Sequence, residues 1–286
     1  MRLGERHPLN LPVNEPAKPD TGVPAFKAAP PYKRTSFRVN ARGGDGGLII
    51  NDDYIVLATQ GSSHWDAMAH AGMSEPGVDG LFYNGWRTDV IDGDGATRRG
   101  GIDRFAQAGI VGRGVLLDVA RIHAHGEPDP LPSDHVITPD ETQACLTAQG
   151  VTVQDGDIMC FRTGWTEAYL DADREGRAAL LKPSPGESFP SNPGIHSNHM
   201  AMARDQRWGA VTADNAAVEA VPTGPASQSA HVLMLRNLGL AFGEVLNFRS
   251  LAARCADDRR WEFLFVAVPF WIPGGAGSPA NAIAIR

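Results

Sequence analysis

The chain has few of the features that mark exported or zinc-knuckle proteins. Only three cysteines occur in 286 residues, at positions 145, 160 and 255, and no two of them stand in a CxxC spacing. This spread argues against a disulfide framework or a structural zinc knuckle and fits a reducing compartment. The first residues also lack the apolar run of a secretory signal peptide. We therefore expect a cytoplasmic protein.

Long hydrophobic runs, a basic stripe and a serine nucleophile motif are absent as well. The longest apolar run, FLFVAVPFWI at 263–272, is too short to span a bilayer and contains Pro269. The 26 Lys and Arg residues are scattered in a chain of formal charge -7, which does not suit nucleic acid. No GxSxG motif occurs, which argues against a serine hydrolase. The expected partner is a small-molecule substrate, with no nucleic acid and no membrane.

The remaining pattern is that of a folded α/β protein. Residues 1–45 are rich in Pro, Lys, Arg and Gly and show no sustained period, which indicates an extended arm. From residue 46 onwards, short apolar runs alternate with amphipathic segments, as is typical of α/β proteins. We predict an extended N-terminal arm over 1–45 and a single catalytic domain over 46–286.

Six short apolar runs are the predicted strands, and most are continuously apolar, as buried strands tend to be. They lie at residues 54–59, 114–120, 157–163, 208–213, 240–246 and 263–268. One helix has clear ends, because Thr138 and Glu141 form a capping box around Pro139, and Gly150 follows as a stop. Two further helices are predicted over 229–239 and 247–255.

The segment QGSSHWDAMAH, residues 60–70, places two histidines and an aspartate within seven residues. His64 and Asp66 are two residues apart, so their side chains share a face if the chain is extended there. Asp66 and His70 are four residues apart, so they share one side of a helix if a helix begins at Asp66. A strand-to-helix transition would therefore bring all three side chains to one point.

Imidazole and carboxylate donors at one point suit a divalent ion such as zinc or manganese. Two or three protein ligands leave positions open for water and substrate, as a catalytic metal requires. The alternative is that the histidines are core or capping residues and that Asp66 is a helix N-cap. The pattern alone does not decide between these interpretations, since short motifs recur by chance.

Together with its flanking segments, this motif resembles the cyclase-like metal-dependent hydrolases, a family that includes bacterial kynurenine formamidase, isatin hydrolase and one type of dienelactone hydrolase. The family motif HxGTHxDxPxH matches two metal ligands to His64 and Asp66, and matches its final histidine, which has an acid/base role, to His70. Gln60 replaces the first histidine and Met68 the usual proline. Five further segments resemble segments of the family and occur in the same order along the chain. They lie at residues 112–122, 137–151, 156–165, 209–219 and 274–285.

The resemblance implies a fold, a metal and an assembly. The implied fold is a single domain with a mixed, partly barrel-like β-sheet flanked by helices, of the swivelling β/β/α type. His231 and Glu244 would complete the metal site, with a separation one residue longer than in the family. Gln60 would be a further ligand, and an amide in place of an imidazole favours manganese over zinc, or one ion over two. Relatives are generally oligomeric, so we expect a homodimer or homotetramer in which the arm is exchanged.

The implied reaction is arylformamidase-like hydrolysis of an amide, N-formyl, lactam or lactone bond in a small cyclic or aromatic substrate, with His70 as the proton carrier. Two alternatives from other classes are a metal-dependent lyase or cyclase and a binding protein with a weakened metal site. Trp65 and Trp86 could line an apolar pocket, and His196 and His199 could orient the substrate. Residues of these types are more often simply structural.

Overall fold

The computed structural model describes residues 4–16, 32–39, 50–91, 99–126, 129–183, 189–222 and 224–286. The strands in these ranges are β1 (Arg6–Pro8), β2 (Lys33–Val39), β3 (Ile50–Val56), β4 (His64–Asp66), β5 (Met73–Glu75), β6 (Val78–Leu81), β7 (Ile110–Leu117), β8 (Val136–Ile137), β9 (Ile158–Phe161), β10 (Gly194–Ile195), β11 (Ala210–Ala213), β12 (Ala241–Glu244), β13 (Glu262–Ala267), β14 (Gly277–Pro279) and β15 (Ala282–Ile285).

The α-helices are α1 (Thr88–Ile91), α2 (Asp103–Ala108), α3 (Val119–His123), α4 (Pro139–Gln149), α5 (Trp165–Asp171), α6 (Arg174–Leu181), α7 (His199–Asp205) and α8 (Arg249–Asp258). A π-helix spans His231–Arg236, and short 3-10 helices span Tyr83–Gly85 and Ala226–Gln228. Within the described ranges, no helix is long and apolar enough to cross a membrane.

One mixed sheet dominates the fold. Among the described residues it has nine strands, in the order β1-β15-β13-β7-β9-β11-β12-β4-β14. The central strands β7, β9, β11 and β12 run parallel, and the strands on either side of them are antiparallel. Every residue of β9, β11 and β12 is buried. Burial on both faces explains why these strands read as continuous apolar runs and confirms their prediction.

The connection between β14 and β15 requires the sheet to curl. Only Ala280 and Asn281 separate these strands in the chain, a path of at most roughly 11 Å at 3.8 Å per residue step. Yet β15 is second and β14 ninth in the order, seven strand spacings apart. In a flat sheet that separation would be roughly 33 Å. The two edges of the sheet therefore lie close together, which confirms the predicted α/β domain with a partly barrel-like mixed sheet flanked by helices.

The helix predicted from the capping box is confirmed in detail. The Thr138 hydroxyl accepts a hydrogen bond from the Glu141 backbone, and the Glu141 side chain accepts one from the Thr138 backbone. Gly150 ends the helix at φ +67°, a left-handed conformation that favours glycine. The other two predicted helices correspond to the π-helix, which is followed by Gly239 at φ +71°, and to α8.

The first predicted strand is present in part, but it lies outside the main sheet and is exposed. The apolar run 54–59 overlaps β3, which pairs with β2 in a separate hairpin, and all seven β3 residues are exposed. The strand that enters the main sheet is β4, only three residues long. Apolar character indicates that a run is buried, but it does not say which surface covers the run. The position of this run in the fold therefore could not be predicted from its composition alone.

Part of the predicted N-terminal arm belongs to the domain. Strand β1 pairs with β15 at the sheet edge, and Leu9 and Leu11 are buried. The Leu11 amide donates to the Ser63 hydroxyl at 2.8 Å, and that hydroxyl donates to the Val245 carbonyl at 2.5 Å. The other parts of the predicted arm, residues 1–3, 17–31 and 40–45, lie outside the described residues. The predicted boundary at residue 45 therefore stays a prediction.

Candidate metal centre

Pairing of β4 with β12 places the first donors. The antiparallel register sets His64 directly opposite Glu244. His64 and Asp66 alternate with Trp65 along β4, so the two donors share one face and Trp65 takes the other. His64 Nε2 lies 3.1 Å from Glu244 Oε2 and 3.6 Å from Asp66 Oδ1. The predicted convergence of His64 and Asp66 is therefore present, and all three donors are fully buried.

His70 reaches the same cluster by a turn, and the helix considered from Asp66 onwards is not formed in this segment. The Ala67 amide donates to the Ala276 carbonyl at 2.9 Å, and the Ala69 amide donates to the Gly100 carbonyl at 3.0 Å. These donors bond to distant loops, so the segment closes a single turn instead of a helix. The turn still brings His70 Nδ1 to 3.6 Å from Asp66 Oδ1.

The π-helix supplies His231. A π-helical turn closes hydrogen bonds over five residues where an α-helix uses four, so it absorbs one extra residue. The resemblance implies one extra residue between His231 and Glu244, and a π-helical turn is able to take up such a residue. His231 Nε2 lies 3.2 Å from Glu244 Oε1 and 3.6 Å from Asp66 Oδ2. Both late donors implied by the family resemblance therefore join the cluster.

Two of the imidazoles are oriented in the same way. The His64 ring donates from Nδ1 to the Ser62 carbonyl at 2.7 Å, and the His231 ring donates from Nδ1 to Glu219 Oε1 at 2.5 Å. Each ring therefore turns Nε2 towards the carboxylates. Metal-binding histidines commonly have such a partner on the second nitrogen, because it fixes the tautomer and the ring plane.

Glu219 is a functional residue that the sequence reasoning did not identify. Besides His231, its carboxylate accepts hydrogen bonds from the Ser229 hydroxyl, at 2.7 Å, and from the Ala230 amide. The segment GAVTADNAAVE was recognised as similar to the family, but its final glutamate carried no signal of its role. The role of Glu219 depends on contact with a helix that begins twelve residues later.

Two valines hold unusual backbone conformations beside the acidic residues. Val218 precedes Glu219 at φ +59°, and Val245 follows Glu244 at φ +56°. A β-branched residue in the left-handed region is strained and persists only when its surroundings hold it there. The Ile195 amide donates to the Val218 carbonyl at 3.1 Å, and the Val245 amide donates to the Asn215 carbonyl at 2.9 Å. A backbone hydrogen bond therefore anchors the residue next to each carboxylate.

Charge is concentrated in this buried cluster. Burial by itself raises the pKa of Asp66, but the facing charge of His70 and the other imidazoles gives a net lowering. Burial lowers the pKa of His231, yet the facing carboxylates of Asp66, Glu219 and Glu244 raise that pKa well above its ordinary value. A proton on His231 therefore balances the carboxylates, and a divalent cation would compete with it for the same donors.

The donors fit a divalent cation. Both carboxylate oxygens of Asp66 are buried without a hydrogen-bond partner among the described residues, which is costly unless a cation satisfies them. Donor atoms of His64, Asp66 and Glu244 lie within 4.8 Å of one another, as do those of Asp66, His70 and His231. Asp66 belongs to both groups, so it is the donor they share.

Gln60 lies beside His70 at the edge of the cluster. Its Oε1 accepts a hydrogen bond from Thr59 at 2.6 Å, and its Nε2 lies 3.4 Å from His70 Nδ1. Gly277 makes room for this amide, because a β-carbon at that position would overlap Gln60 Nε2. The observed contacts relate Gln60 to His70, and its predicted role as a metal ligand stays a prediction.

A cavity of about 600 Å³ opens onto the cluster. His70, His231 and Glu219 form part of its wall. Most of the remaining wall is apolar and comes from loops that the sequence reasoning did not single out; it includes Phe189, Pro190, Ala216, Ala217, Val221 and Pro222. A concave, mainly apolar cavity with a few polar groups is typical of small-molecule sites.

The four predicted substrate-contacting residues lie elsewhere. Trp65 is fully buried and packs edge-on against Phe265 in the core. His199 is fully buried, and its Nε2 lies 2.9 Å from the Thr142 hydroxyl. In the described part of the chain, Trp86 and His196 are also not among the residues that line the cavity. None of the four, all within the described ranges, lines the cavity, so the structure does not support them as substrate contacts.

Comparisons with known proteins agree with this fold. A family model named Cyclase and described as "Putative cyclase" matches residues 7–220. A crystal structure described as "a novel cyclase" matches with TM-score 0.82 and 31% identity, covering 100% of this chain and 88% of that one. No curated protein matches the sequence.

Two more distant structures are similar in fold. Isatin hydrolase A from Ralstonia solanacearum matches with TM-score 0.65 and 20% identity, covering 98% of this chain and 91% of its own. A "predicted metal-dependent hydrolase" from Bacillus stearothermophilus matches with TM-score 0.54 and 17% identity, covering 98% of each chain.

We predict that Glu219→Gln weakens metal binding by roughly 10- to 100-fold, because it removes the carboxylate that orients His231. The dissociation constant can be measured by competition with a chelator. Ser229→Ala is the comparison variant, since it removes another hydrogen bond to Glu219 Oε1 and one from the His231 amide but leaves the bond between Glu219 and the His231 ring. Equal affinities in Glu219→Gln and the unmodified protein would contradict the assigned role.

We also predict that His199 makes the protein less stable in mild acid. Burial lowers the pKa of His199 to about 4 in the folded chain, from an ordinary value of 6.5. The unfolded chain therefore binds more protons between these values, and stability falls as the pH falls through this window. Between pH 7 and pH 5 the loss is about 2 kcal/mol. Denaturant unfolding at both pH values should show a smaller loss in His199→Gln, and equal losses would disprove the prediction.

Proposed function

The chain belongs to the Cyclase family, and on that basis we propose that it is a metal-dependent hydrolase. The proposed reaction is cleavage of an amide, N-formyl, lactam or lactone bond in a small cyclic or aromatic substrate. The observation that carries this proposal is the convergence of His64, Asp66, His231 and Glu244 on one buried point beside a cavity. The similarity in fold to an isatin hydrolase supports it.

These four side chains would hold the cation, which we propose to be manganese or zinc. When bound, a divalent ion supplies Lewis-acid chemistry, because it lowers the pKa of water and polarises a carbonyl group. Two nitrogen and two oxygen donors suit a borderline ion of this kind. The carboxylates of Asp66 and Glu244 contribute the negative charge that compensates the ion in a buried site. Glu219 keeps the His231 ring in the orientation that binding requires.

His70 is the proposed proton carrier. Its side chain is 31% exposed and lines the cavity, whereas Asp66 is fully buried behind it. Nδ1 faces Asp66 and Gln60, so proton exchange with water and the leaving group falls to Nε2. An imidazole changes protonation near neutral pH, and such assistance contributes roughly a hundred- to ten-thousand-fold in rate.

The cavity supports a small, partly apolar substrate. Its volume of about 600 Å³ is in the range of small-molecule sites. Asn192 lines the cavity, but its amide donates to the Glu219 carbonyl and its oxygen accepts from the Ala216 amide. It therefore shapes the wall. The apolar side chains would bind the ring of the substrate and leave its carbonyl group facing the metal donors and His70.

A lyase or ring-forming cyclase is the second candidate, because the description of the family names a cyclase. The same donors could bind a carbonyl group for elimination or cyclisation, since fold and metal do not determine the reaction. The products of the reaction distinguish the two candidates. Addition of water indicates the hydrolase, and loss of water indicates the lyase or cyclase.

We expect chelated protein to be inactive and to regain amide, lactam or lactone cleavage with manganese or zinc. Asp66→Asn should lose both the metal and the activity, whereas His70→Gln should keep the metal and lose turnover by roughly 10²- to 10⁴-fold. His196→Gln, outside the cavity lining, is the control and should keep both. Metal analysis and steady-state kinetics measure these outcomes, and full activity in Asp66→Asn would disprove the proposal.

We further propose a homodimer or homotetramer in the cytoplasm. The three cysteines are free and buried, in keeping with a reducing compartment. The β2–β3 hairpin is exposed along the whole of β3, and Tyr54 alone is 58% exposed. An isolated two-stranded hairpin is marginally stable in water, and exposed apolar patches commonly mark protein interfaces. A second copy of the chain packed on this hairpin would cover its apolar side chains.

Light scattering tests the assembly. We expect a mass of two or four chains, and a smaller mass when Tyr54 and Ile55 on the hairpin are both changed to Asp. Ile122→Asp, an exposed apolar residue on α3, is the control and should leave the mass unchanged. A monomeric mass for the unmodified protein would contradict the proposed assembly.

A further inference from the structure

A second cluster of metal-binding side chains lies away from the cavity. His123 is the last residue of α3, His135 lies just before β8, and Glu141 is in the first turn of α4. One donor atom from each residue lies within 4.8 Å of the other two. None of the three lines the cavity, and none belongs to the groups that contain Asp66. The cluster therefore needs an explanation separate from the proposed reaction.

The geometry of the cluster is well defined. His135 Nε2 lies 2.9 Å from Glu141 Oε1, and the His123 ring meets the His135 ring edge-on with centroids 4.8 Å apart. Two imidazoles and one carboxylate are the protein ligands of several zinc sites, and they leave one position open for water. We propose that His123, His135 and Glu141 form a second divalent-cation site, of the zinc type, on the surface of the domain.

The surroundings hold two of the three donors in place. Glu141 Oε2 accepts hydrogen bonds from the Thr138 amide at 2.8 Å and the Thr138 hydroxyl at 3.0 Å, so Oε1 is directed to His135. The His135 amide donates to the Pro132 carbonyl at 3.0 Å, and its carbonyl accepts from the Gly194 amide at 3.2 Å. Because these bonds fix the Glu141 carboxylate and the backbone of His135 before any ion arrives, less ordering is required on binding.

The simpler explanation accounts for only part of the cluster. A hydrogen bond between His135 and Glu141 would support the start of α4 without any ion. That bond gives no role to His123, whose ring lies against the ring of His135. A cation that binds in place of the proton between His135 and Glu141 uses all three side chains and links α3 to α4.

Zinc binding to the full-length protein tests the inference. Asp66→Asn serves as the background, because it disables the buried centre and leaves the surface cluster unchanged. We expect this protein to bind one equivalent of Zn²⁺ in competition with a chromophoric chelator. Adding His123→Gln should weaken that binding more than tenfold, since even an indirect partner of a ligand is worth 10- to 100-fold. Co²⁺ in place of Zn²⁺ should lose its visible absorption in the same variant.

His125→Gln is the matched control. His125 is also exposed, lies two residues from His123 and is outside the cluster, so Zn²⁺ affinity should be unchanged. If Asp66→Asn does not fold, the same comparison in the unmodified protein should show that His123→Gln lowers the zinc content by one equivalent and His125→Gln does not. Equal zinc binding by the His123 and His125 variants in either background would overturn the proposal.

Discussion

The antiparallel pairing of β4 with β12 is the constraint on which the centre depends. It sets His64 opposite Glu244, and the alternation of the strand puts Asp66 on the same face two residues along. The buried carboxylates of Asp66 and Glu244 repel each other, so the fold must supply positive charge between them. His64 and His231 face that space from different elements. Burial makes it costly to leave these charged side chains unpaired. The same low dielectric strengthens their attraction to a bound cation.

Irregular backbone is concentrated around these donors. The π-helix carries His231, a single turn carries His70, and the left-handed Val218 and Val245 lie next to Glu219 and Glu244. Such irregular backbone is often found at functional sites. The parallel strands β9 and β11 are regular and fully buried, and they provide the rigid base for these exceptions.

Closure of the sheet connects the chain termini to the centre. The short link between β14 and β15 brings one edge of the sheet to the other, and β14 pairs with β4 at the residues that carry the donors. The N-terminal segment adds a second connection, because Leu11 bonds to Ser63, which bonds in turn to Val245. Residues from both ends of the sequence therefore hold the two strands on which His64 and Glu244 lie.

Local sequence patterns were sufficient to predict the buried parallel strands, the capped helix α4 and the shared face of His64 and Asp66. These features depend on residues only a few positions apart. Family resemblance identified His231 and Glu244. Local patterns were insufficient for the turn at His70, since its amides bond to Gly100 and Ala276, far along the chain.

The contact of Glu219 with His231, the apolar wall around Phe189 and the structural roles of Trp65 and His199 were likewise decided by the tertiary structure. The sequence by itself determined which donors were available and that the runs containing β9, β11 and β12 would be buried. Only the tertiary structure decided which side chains meet at the cavity, because that depends on long-range packing, which a short sequence pattern does not encode.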